Sequence, residues 1–328
     1  MVVEVRRRRV DLLARQRLAG GVEYAAGSTG PEHVVAKFAA LRDGALASAR
    51  TGGTHERELR TYDELLAETD VAVPTVHASY FDPDTAHFLM VQDFVEIDGE
   101  VDQISGIGVD RARVVIGNVA RVHARWWGSE RLAAFPWLPR LDGRNRITNL
   151  TAMARAGWEP LCEITDLDVD ARRLGDGLDQ RVERVLRELA TMPSTLLHCD
   201  LRTDNLLFEP DGTGVSIVDW QGAGIGPPAF DLAYFLSQCL TIDDRRRHED
   251  DLLGAYRDDL AAAGVERTDD EVRTGYGAAM LYGLVIACAI PLVSDRHEPR
   301  ARRLAATMAD RAIAGLRDHG HVSTMEPS

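Results

Sequence analysis

Lysine is almost missing from this chain of 328 residues: of its 38 basic residues only Lys37 is a lysine, and all the others are arginines. Positive charge is short overall as well, because 52 acidic residues leave a formal net charge of −14. A surface that acidic repels phosphate backbones and anionic lipid headgroups, which argues against nucleic acid and membrane surfaces as partners. Cysteine is sparse. Cys162, Cys199, Cys239 and Cys288 are scattered, with no Cys-x-x-Cys pair and no dense framework, so a reduced, cytoplasmic protein is expected. Residues 1–21 contain the run Arg6 to Arg9 but no apolar stretch of signal-peptide length, and the N-terminus reads as mature from Met1. Long uncharged sequence occurs in Thr274 to Ser294. Gly275, Gly277, Gly283 and Pro291 within it, and the lack of flanking anchors, point to a buried core helix there.

What is present describes a globular protein. Apolar residues make up 45% and charged residues 27%, and the length suits two domains or one large two-lobed domain. In the first third, Val34 to Phe38 reads as a short β-branched strand carrying Lys37 near its end, preceded by the turn-rich stretch Gly27 to Pro31. Leu59, Tyr62, Leu65 and Leu66 have helical spacing and predict a helix over Glu56 to Leu66. Val71 to Tyr80, broken by Pro74, and His87 to Val95 read as further strands joined by the turn Asp82-Pro83-Asp84.

From about residue 100 the pattern is helical. Val115, Val119, Val122 and Trp126 predict a long helix from Val109 to Trp127. Arg172 to Thr191, Asp244 to Ala263 and Arg300 to Asp318 read as further amphipathic helices. One patch, Ser194 to Trp220, interrupts them. Short apolar runs there flank the polar loop of His198, Asp200, Arg202 and Asn205, an arrangement that supports polar side chains on a rigid base. A second apolar run, Val215 to Val218, delivers Asp219 at its end. The oxygens of Asn205 and Asp219 are hard ligands suited to Mg²⁺.

The order His198-x-Asp200-x₄-Asn205, followed by Ile217-Val218-Asp219-Trp220, resembles the catalytic loop and metal-binding aspartate of protein-kinase-like phosphotransferases, in particular the aminoglycoside phosphotransferase and choline kinase group. Asp219-Trp220-Gln221, Pro228 to Phe235 and Val119 to Trp127 are similar to its bacterial branch related to ecdysteroid kinases. The likeness runs from about Val34 to the C-terminal helices, with the motifs in family order.

The resemblance implies an α+β, protein-kinase-like two-lobed fold: a small β-rich N-lobe with one helix, residues 1–95, and a larger, mostly helical C-lobe, residues 96–328. It implies an ATP- and Mg²⁺-dependent kinase acting on a hydroxyl of a small molecule. Asp200 is then the catalytic base, His198 braces the loop, and Asn205 and Asp219 hold Mg²⁺. Arg202 either steadies the transferring phosphoryl group or pairs with Asp204. Asp231 holds the loop from beneath. Lys37 reaches the α- and β-phosphates, held by Glu58, which sits at the edge of the buried helix face, whereas Glu64 and Glu68 point more toward solvent. Gln92, Asp93, Phe94 and Val95 occupy the hinge, whose main chain binds adenine.

Two departures from the family pattern stand out. No glycine-rich turn precedes Lys37: the candidates are Gly20-Gly21, the arginine-rich stretch Arg8 to Gln16 with its glycines replaced, or a first strand trimmed at the start of the sequence. Cys199 stands where similar loops have glycine, as a small buried residue. The missing turn motivates an alternative, a catalytically inert nucleotide-binding pseudokinase. A protein kinase is disfavoured because only Gln221 to Phe230 separates Asp219 from Asp231, too short for an activation segment and peptide platform. Metal-dependent hydrolysis through His198, Asp200 and Asp219 lacks the further His or Cys ligands of a zinc site. For the acceptor, the acidic groups Glu249 to Asp251 and Asp269 to Glu271 are either solvated helix faces or a site for a polycation such as an aminoglycoside. Trp126, Trp127, Trp137 and Trp158 are either core or the lining of an apolar acceptor pocket. The ecdysteroid-kinase-like motifs tilt toward a bulky or lipophilic alcohol.

Overall fold

The computed structural model describes residues 8–12, 15–21, 29–39, 45–97, 99, 101–295 and 297–322. The chain divides into two compact units. One comprises Met1–Asp98 with Leu207–Gly222, the other Gly99–Leu206 with Ala223–Ser328.

In the first unit, β1 (Arg8–Leu12), β2 (Arg15–Gly21), β3 (His33–Ala39), β4 (Val76–Phe81) and β5 (Phe88–Asp93) form one antiparallel sheet in the order β1-β2-β3-β5-β4. On β5 the side chains alternate, with Phe88, Met90 and Gln92 buried. Lys37 pairs with Met90 across the sheet and therefore shares that buried face. Strands β1 and β2 pair from Arg8 opposite Ala19 to Leu12 opposite Arg15, so the chain reverses between Leu12 and Arg15. Gly20 and Gly21 pair with Val34 and His33 at the far end of β2. They are strand residues, not a phosphate turn, and the reversal falls within the other candidate stretch, Arg8 to Gln16, whose Leu13 and Ala14 lie outside the described residues, as do Gly27 and Ser28 of the turn expected before β3.

Helices α1 (Ala45–Gly52) and α2 (Thr54–Arg60) follow, separated by Gly53, whose φ of 60° is left-handed and interrupts the helix. The single helix expected over Glu56 to Leu66 thus starts earlier. It ends in wider and tighter turns, a π-helical turn over Thr61–Leu65 and a 3-10 turn over Leu66–Glu68, which keep Tyr62, Leu65 and Leu66 buried. The strand expected from Val71 begins only at Val76, because Pro74 has no N–H to donate to the sheet. The chain before it pairs elsewhere: Ala72 O accepts from the Ile217 amide at 3.1 Å.

The second unit is built on helices α3 (Val109–Trp126), α4 (Arg144–Ile164), α5 (Val169–Arg173) and α6 (Leu178–Leu189). The helix expected over Arg172 to Thr191 splits into α5 and α6 at Gly177, again left-handed with φ 69°. Strand β6 (Thr195–Leu197) then leads to the polar loop; β7 (Leu206–Phe208) and β8 (Val215–Ile217), which pair with each other, fall almost entirely in the Leu207–Gly222 segment of the first unit, and β9 (Gly224–Gly226) pairs with β6. The remainder is helical: α7 (Ala229–Cys239), α8 (Ile242–Ala262), α9 (Asp269–Arg273), α10 (Tyr276–Ala279), α11 (Leu281–Val293) and α12 (Pro299–Asp318). The stripe Val115, Val119, Val122 and Trp126 on α3 is buried as its period requires. The stretch Asp269–Val293 is long and apolar enough to cross a membrane by length and composition. Within it α11 packs against α4 and α12, and Leu281, Leu284, Val285, Ala287 and Cys288 are buried there as core.

Candidate active site

Two clusters gather the chemically active side chains, one in each unit. In the first, β3 carries Lys37 into the interior, where its side chain is 2% exposed and pairs with the fully buried Glu58 of α2. Asp219 Oδ1 lies 3.2 Å from Lys37 Nζ. Two carboxylates therefore face one ammonium. Burial of such a group is costly unless its charge is matched and its protons are bonded, and both carboxylates serve that purpose. Asp219 has φ 70°, a left-handed conformation that turns the chain sharply as it leaves β8. Trp220 Nε1 donates to Ile217 O at 3.0 Å and Arg57 NH1 donates to Gln221 O at 2.8 Å, so both sides of that turn are tied down. Neighbouring residues of α2, Arg57 and Glu58, thus fix the Asp219 segment and Lys37. His55 of the same helix stacks on Phe88 of β5 with ring centroids 4.8 Å apart, which locks the helix to the sheet. Glu64, expected to be solvent-directed, pairs with Arg60.

The second cluster surrounds the loop after β6. Asp231, near the start of α7 and 1% exposed, accepts from the His198 amide at 2.6 Å and the Cys199 amide at 2.8 Å. Its Oδ2 also lies 3.5 Å from His123 Nε2. Burial pushes the Asp231 carboxyl up, but the hydrogen bond and charge of His123, and the charge and amide of His198, outweigh it and hold the carboxyl below its ordinary value. His123 Nδ1 lies 2.8 Å from Tyr256 Oη, so one ring joins the phenol to Asp231. Cys199 is buried with φ 60°, which explains why a residue without a branched side chain suits the position.

Beyond Cys199 the loop is held by its own polar groups. The Asp200 amide donates to His198 Nδ1 at 3.1 Å. Asn205 Nδ2 donates to Asp200 O at 2.8 Å and to Asp200 Oδ2 at 3.2 Å. Arg202 lies between two carboxylates, 3.4 Å from Asp200 and 3.3 Å from Asp204, so the Asp204 pair expected from the sequence coexists with one to Asp200. Tyr234 Oη is 3.5 Å from Asp200 Oδ1, and Tyr282 Oη donates to Cys199 O at 2.8 Å. Burial, and then the charge of Asp200, raise both phenols above their ordinary value, so both remain neutral donors. The arrangement leaves Asp200 a partly exposed carboxylate on a hydrogen-bonded backbone, suited to accepting a proton from a bound hydroxyl.

At the expected hinge, Gln92 and Asp93 end β5, and Phe94 and Val95 continue without regular structure. Asp93 accepts from the Thr75 amide and pairs with His77 at 2.6 Å. Gln92 Oε1 is buried without a hydrogen-bond partner among the described residues. Within the acidic groups Glu249 pairs with Arg245 and His319, Asp250 with Arg273, Asp269 with Arg257 and Glu271 with Arg267. Trp126 and Trp158 are core. Sequence reading missed Gln103, whose Oε1 accepts from the Thr203 amide at 3.0 Å and hydroxyl at 2.6 Å, and Arg311, which donates to Gln103 O at 2.7 Å. It also missed Arg57, His123, Tyr234 and Tyr282. Among the described residues no three His, Cys, Asp or Glu form a metal-binding group.

A sequence model described as the phosphotransferase enzyme family matches residues 23–269. The 4-hydroxytryptamine kinase of Psilocybe cyanescens is 32% identical over 78 residues, covering 22% of this chain and 21% of that protein. Acyl-CoA dehydrogenase family member 10 of Mus musculus is 29% identical over 129 residues, covering 30% of this chain and 12% of that protein. The matched segments thus span about a fifth or less of these curated relatives. Among solved structures, the GDP complex of wild-type aminoglycoside 2′-phosphotransferase-IIIa aligns with a TM-score of 0.55 at 17% identity, covering 97% of this chain and 93% of that one. Plasmodium vivax ethanolamine kinase aligns with a TM-score of 0.57 at 11% identity, covering 95% and 82%. At such identities the likeness is one of fold, and the fold is protein-kinase-like, α+β, as the sequence motifs implied.

Proposed function

The chain belongs to the phosphotransferase enzyme family, and on that footing we propose that it transfers the γ-phosphoryl group of ATP, with Mg²⁺, to a hydroxyl of a small molecule. The observation that carries this reading is Lys37. In a chain that otherwise uses arginine, the single lysine is buried on the sheet face between Glu58 and Asp219. A compact ammonium can sit between a carboxylate and phosphate oxygens where a planar guanidinium is too broad. Gln92 Oε1, an orphaned acceptor on β5, suits the amino group of an adenine.

The oxygen donors suit magnesium. Asn205 directs its amide nitrogen to Asp200, which leaves the amide oxygen as its ligand atom, and Asp219 supplies a carboxylate. Mg²⁺ neutralises charge on the phosphates when bound. Asp200 takes the proton of the acceptor hydroxyl, His198 and Asp231 hold its backbone, and Arg202, 3.4 Å from its carboxylate, is the cation assigned to steady the transferring phosphoryl group. The four cysteines are buried thiols, in keeping with a reducing, cytoplasmic setting. Because Glu249, Asp250, Asp269 and Glu271 are paired with arginines of their own unit, a bulky or lipophilic alcohol is the better acceptor class than a polycation.

A second reading is favoured by one observation: the reversal between β1 and β2 lies away from Gly20-Gly21, so no glycine pair covers phosphates there. On that reading the protein binds nucleotide without turnover. A screen of mixed alcohols with ATP, read by ATP consumption and mass detection of a phosphorylated adduct, separates the two. An adduct supports the kinase, and nucleotide binding without an adduct across a broad library supports the inert form.

A further inference from the structure

A cavity of about 160 Å³ lies within the second unit. Its place follows from the pairing of β6 with β9, in which Thr195 is opposite Gly226 and Leu197 opposite Gly224. Met192 and Pro193, and Pro227 and Pro228, line the cavity and lie beyond the Thr195/Gly226 end of that ribbon. The loop bearing Asp200 leaves from the opposite, Leu197 end. The cavity is therefore separate from the reacting carboxylate.

Its walls specify an occupant. Trp127, Tyr256 and the prolines offer flat apolar surfaces, which suit an aromatic ring. A cavity of roughly this volume accommodates a molecule near the size of benzene or somewhat larger. Arg267, also on the wall, stacks its guanidinium over Trp127 at 4.9 Å, and its Nε is buried with no hydrogen-bond partner among the described residues. An unpaired buried donor favours an acceptor on the ligand. That acceptor is neutral, because the Glu271 carboxylate already lies 3.7 Å from Arg267 and disfavours a second anion.

Tyr256 links this wall to the catalytic loop. Its hydroxyl bonds His123 Nδ1, His123 Nε2 faces Asp231, and Asp231 accepts the His198 and Cys199 amides. We propose that the cavity is an effector site for a neutral aromatic molecule bearing a hydrogen-bond acceptor, and that its occupancy rigidifies the Asp200 loop through Tyr256, His123 and Asp231. The communication is a coupling between two sites through one hydrogen-bonded chain.

The test uses 1-indanone, a neutral aromatic ketone, with the full-length protein. Ligand-observed NMR is expected to show binding that persists with saturating Mg²⁺-ATP, that weakens at least ~10-fold in Met192→Trp, which fills the cavity, and that also weakens in Arg267→Leu. Amide hydrogen exchange over Leu197 to Asn205 is expected to slow on addition of 1-indanone, and that slowing is expected to vanish in Tyr256→Phe. Absence of binding at millimolar probe, or binding indifferent to both wall substitutions, overturns the site. Binding with unchanged exchange in the loop overturns its role as an effector site.

Discussion

Replacing Asp231 probes the support beneath the loop His198 to Asn205. In Asp231→Ala the His198 and Cys199 amides, now 2.6 and 2.8 Å from a carboxylate oxygen, are left buried without an acceptor. Each orphaned donor costs about 1–3 kcal/mol, giving a loss of about 2–6 kcal/mol. For a unit of this size that corresponds to a fall in Tm of roughly 5–20 °C. Asp231→Asn keeps one acceptor oxygen and is expected to lose about half as much. The pH dependence has a definite sign. The folded-state carboxyl is held below its ordinary value of 3.8, so the unfolded chain binds more protons in the acid window between the two values. The stabilisation is fully present above about pH 4 and is lost as pH falls through the folded value. Thermal melts followed by circular dichroism at neutral pH and at pH 3–4 are the assay. An Asp231→Ala variant within about 0.5 kcal/mol of wild type at neutral pH would refute the account of how this loop is held.

Lys37→Arg retains the charge but broadens the head group in a fully buried setting; a fall in kcat/KM of about 100-fold is expected, and unchanged efficiency returns the lone lysine to accident of composition. Cys199→Val places a β-branched residue at φ 60°, so chemical denaturation is expected to show a loss of about 1–2 kcal/mol, whereas Cys199→Gly is expected to stay within about 1 kcal/mol of wild type. Tyr282→Phe removes the donor to Cys199 O and is expected to cost about 1 kcal/mol in the same measurement.

The parts legible in the sequence were those whose chemistry is local. Short apolar runs flanking His198 to Asn205 mark a polar loop between strands, and the pairing of Lys37 with Glu58 was implied by the family resemblance, with helical spacing choosing Glu58 over Glu64 and Glu68. Helix α3 was legible because its apolar stripe runs unbroken for several turns. Gly177 was not read as a break within Arg172 to Thr191, although Gly175 stands two residues before it; its left-handed φ separates α5 from α6. Glu58 and His55, not Leu59, are the buried positions of α2, because Lys37 and Phe88 await them there. Gln103, His123, Arg57 and Arg311 escaped for another reason. Each makes its contact across about a hundred residues or more, as Gln103 does with Thr203, and no local period announces such a pair. The choice between Gly20-Gly21 and Arg8 to Gln16 stayed open because strand register, not composition, decides which residues pair and which form the turn.

The central claim is that Asp200 takes the proton of an acceptor hydroxyl during phosphoryl transfer. The direct measurement is single-turnover transfer from ATP to an alcohol found by the screen, in wild type and in Asp200→Asn, with ATP affinity and the melting curve recorded for both. The account predicts that Asp200→Asn binds ATP and melts like wild type while transfer falls by about 1,000-fold or more. Transfer at an undiminished rate in a folded, ATP-binding Asp200→Asn protein would contradict it.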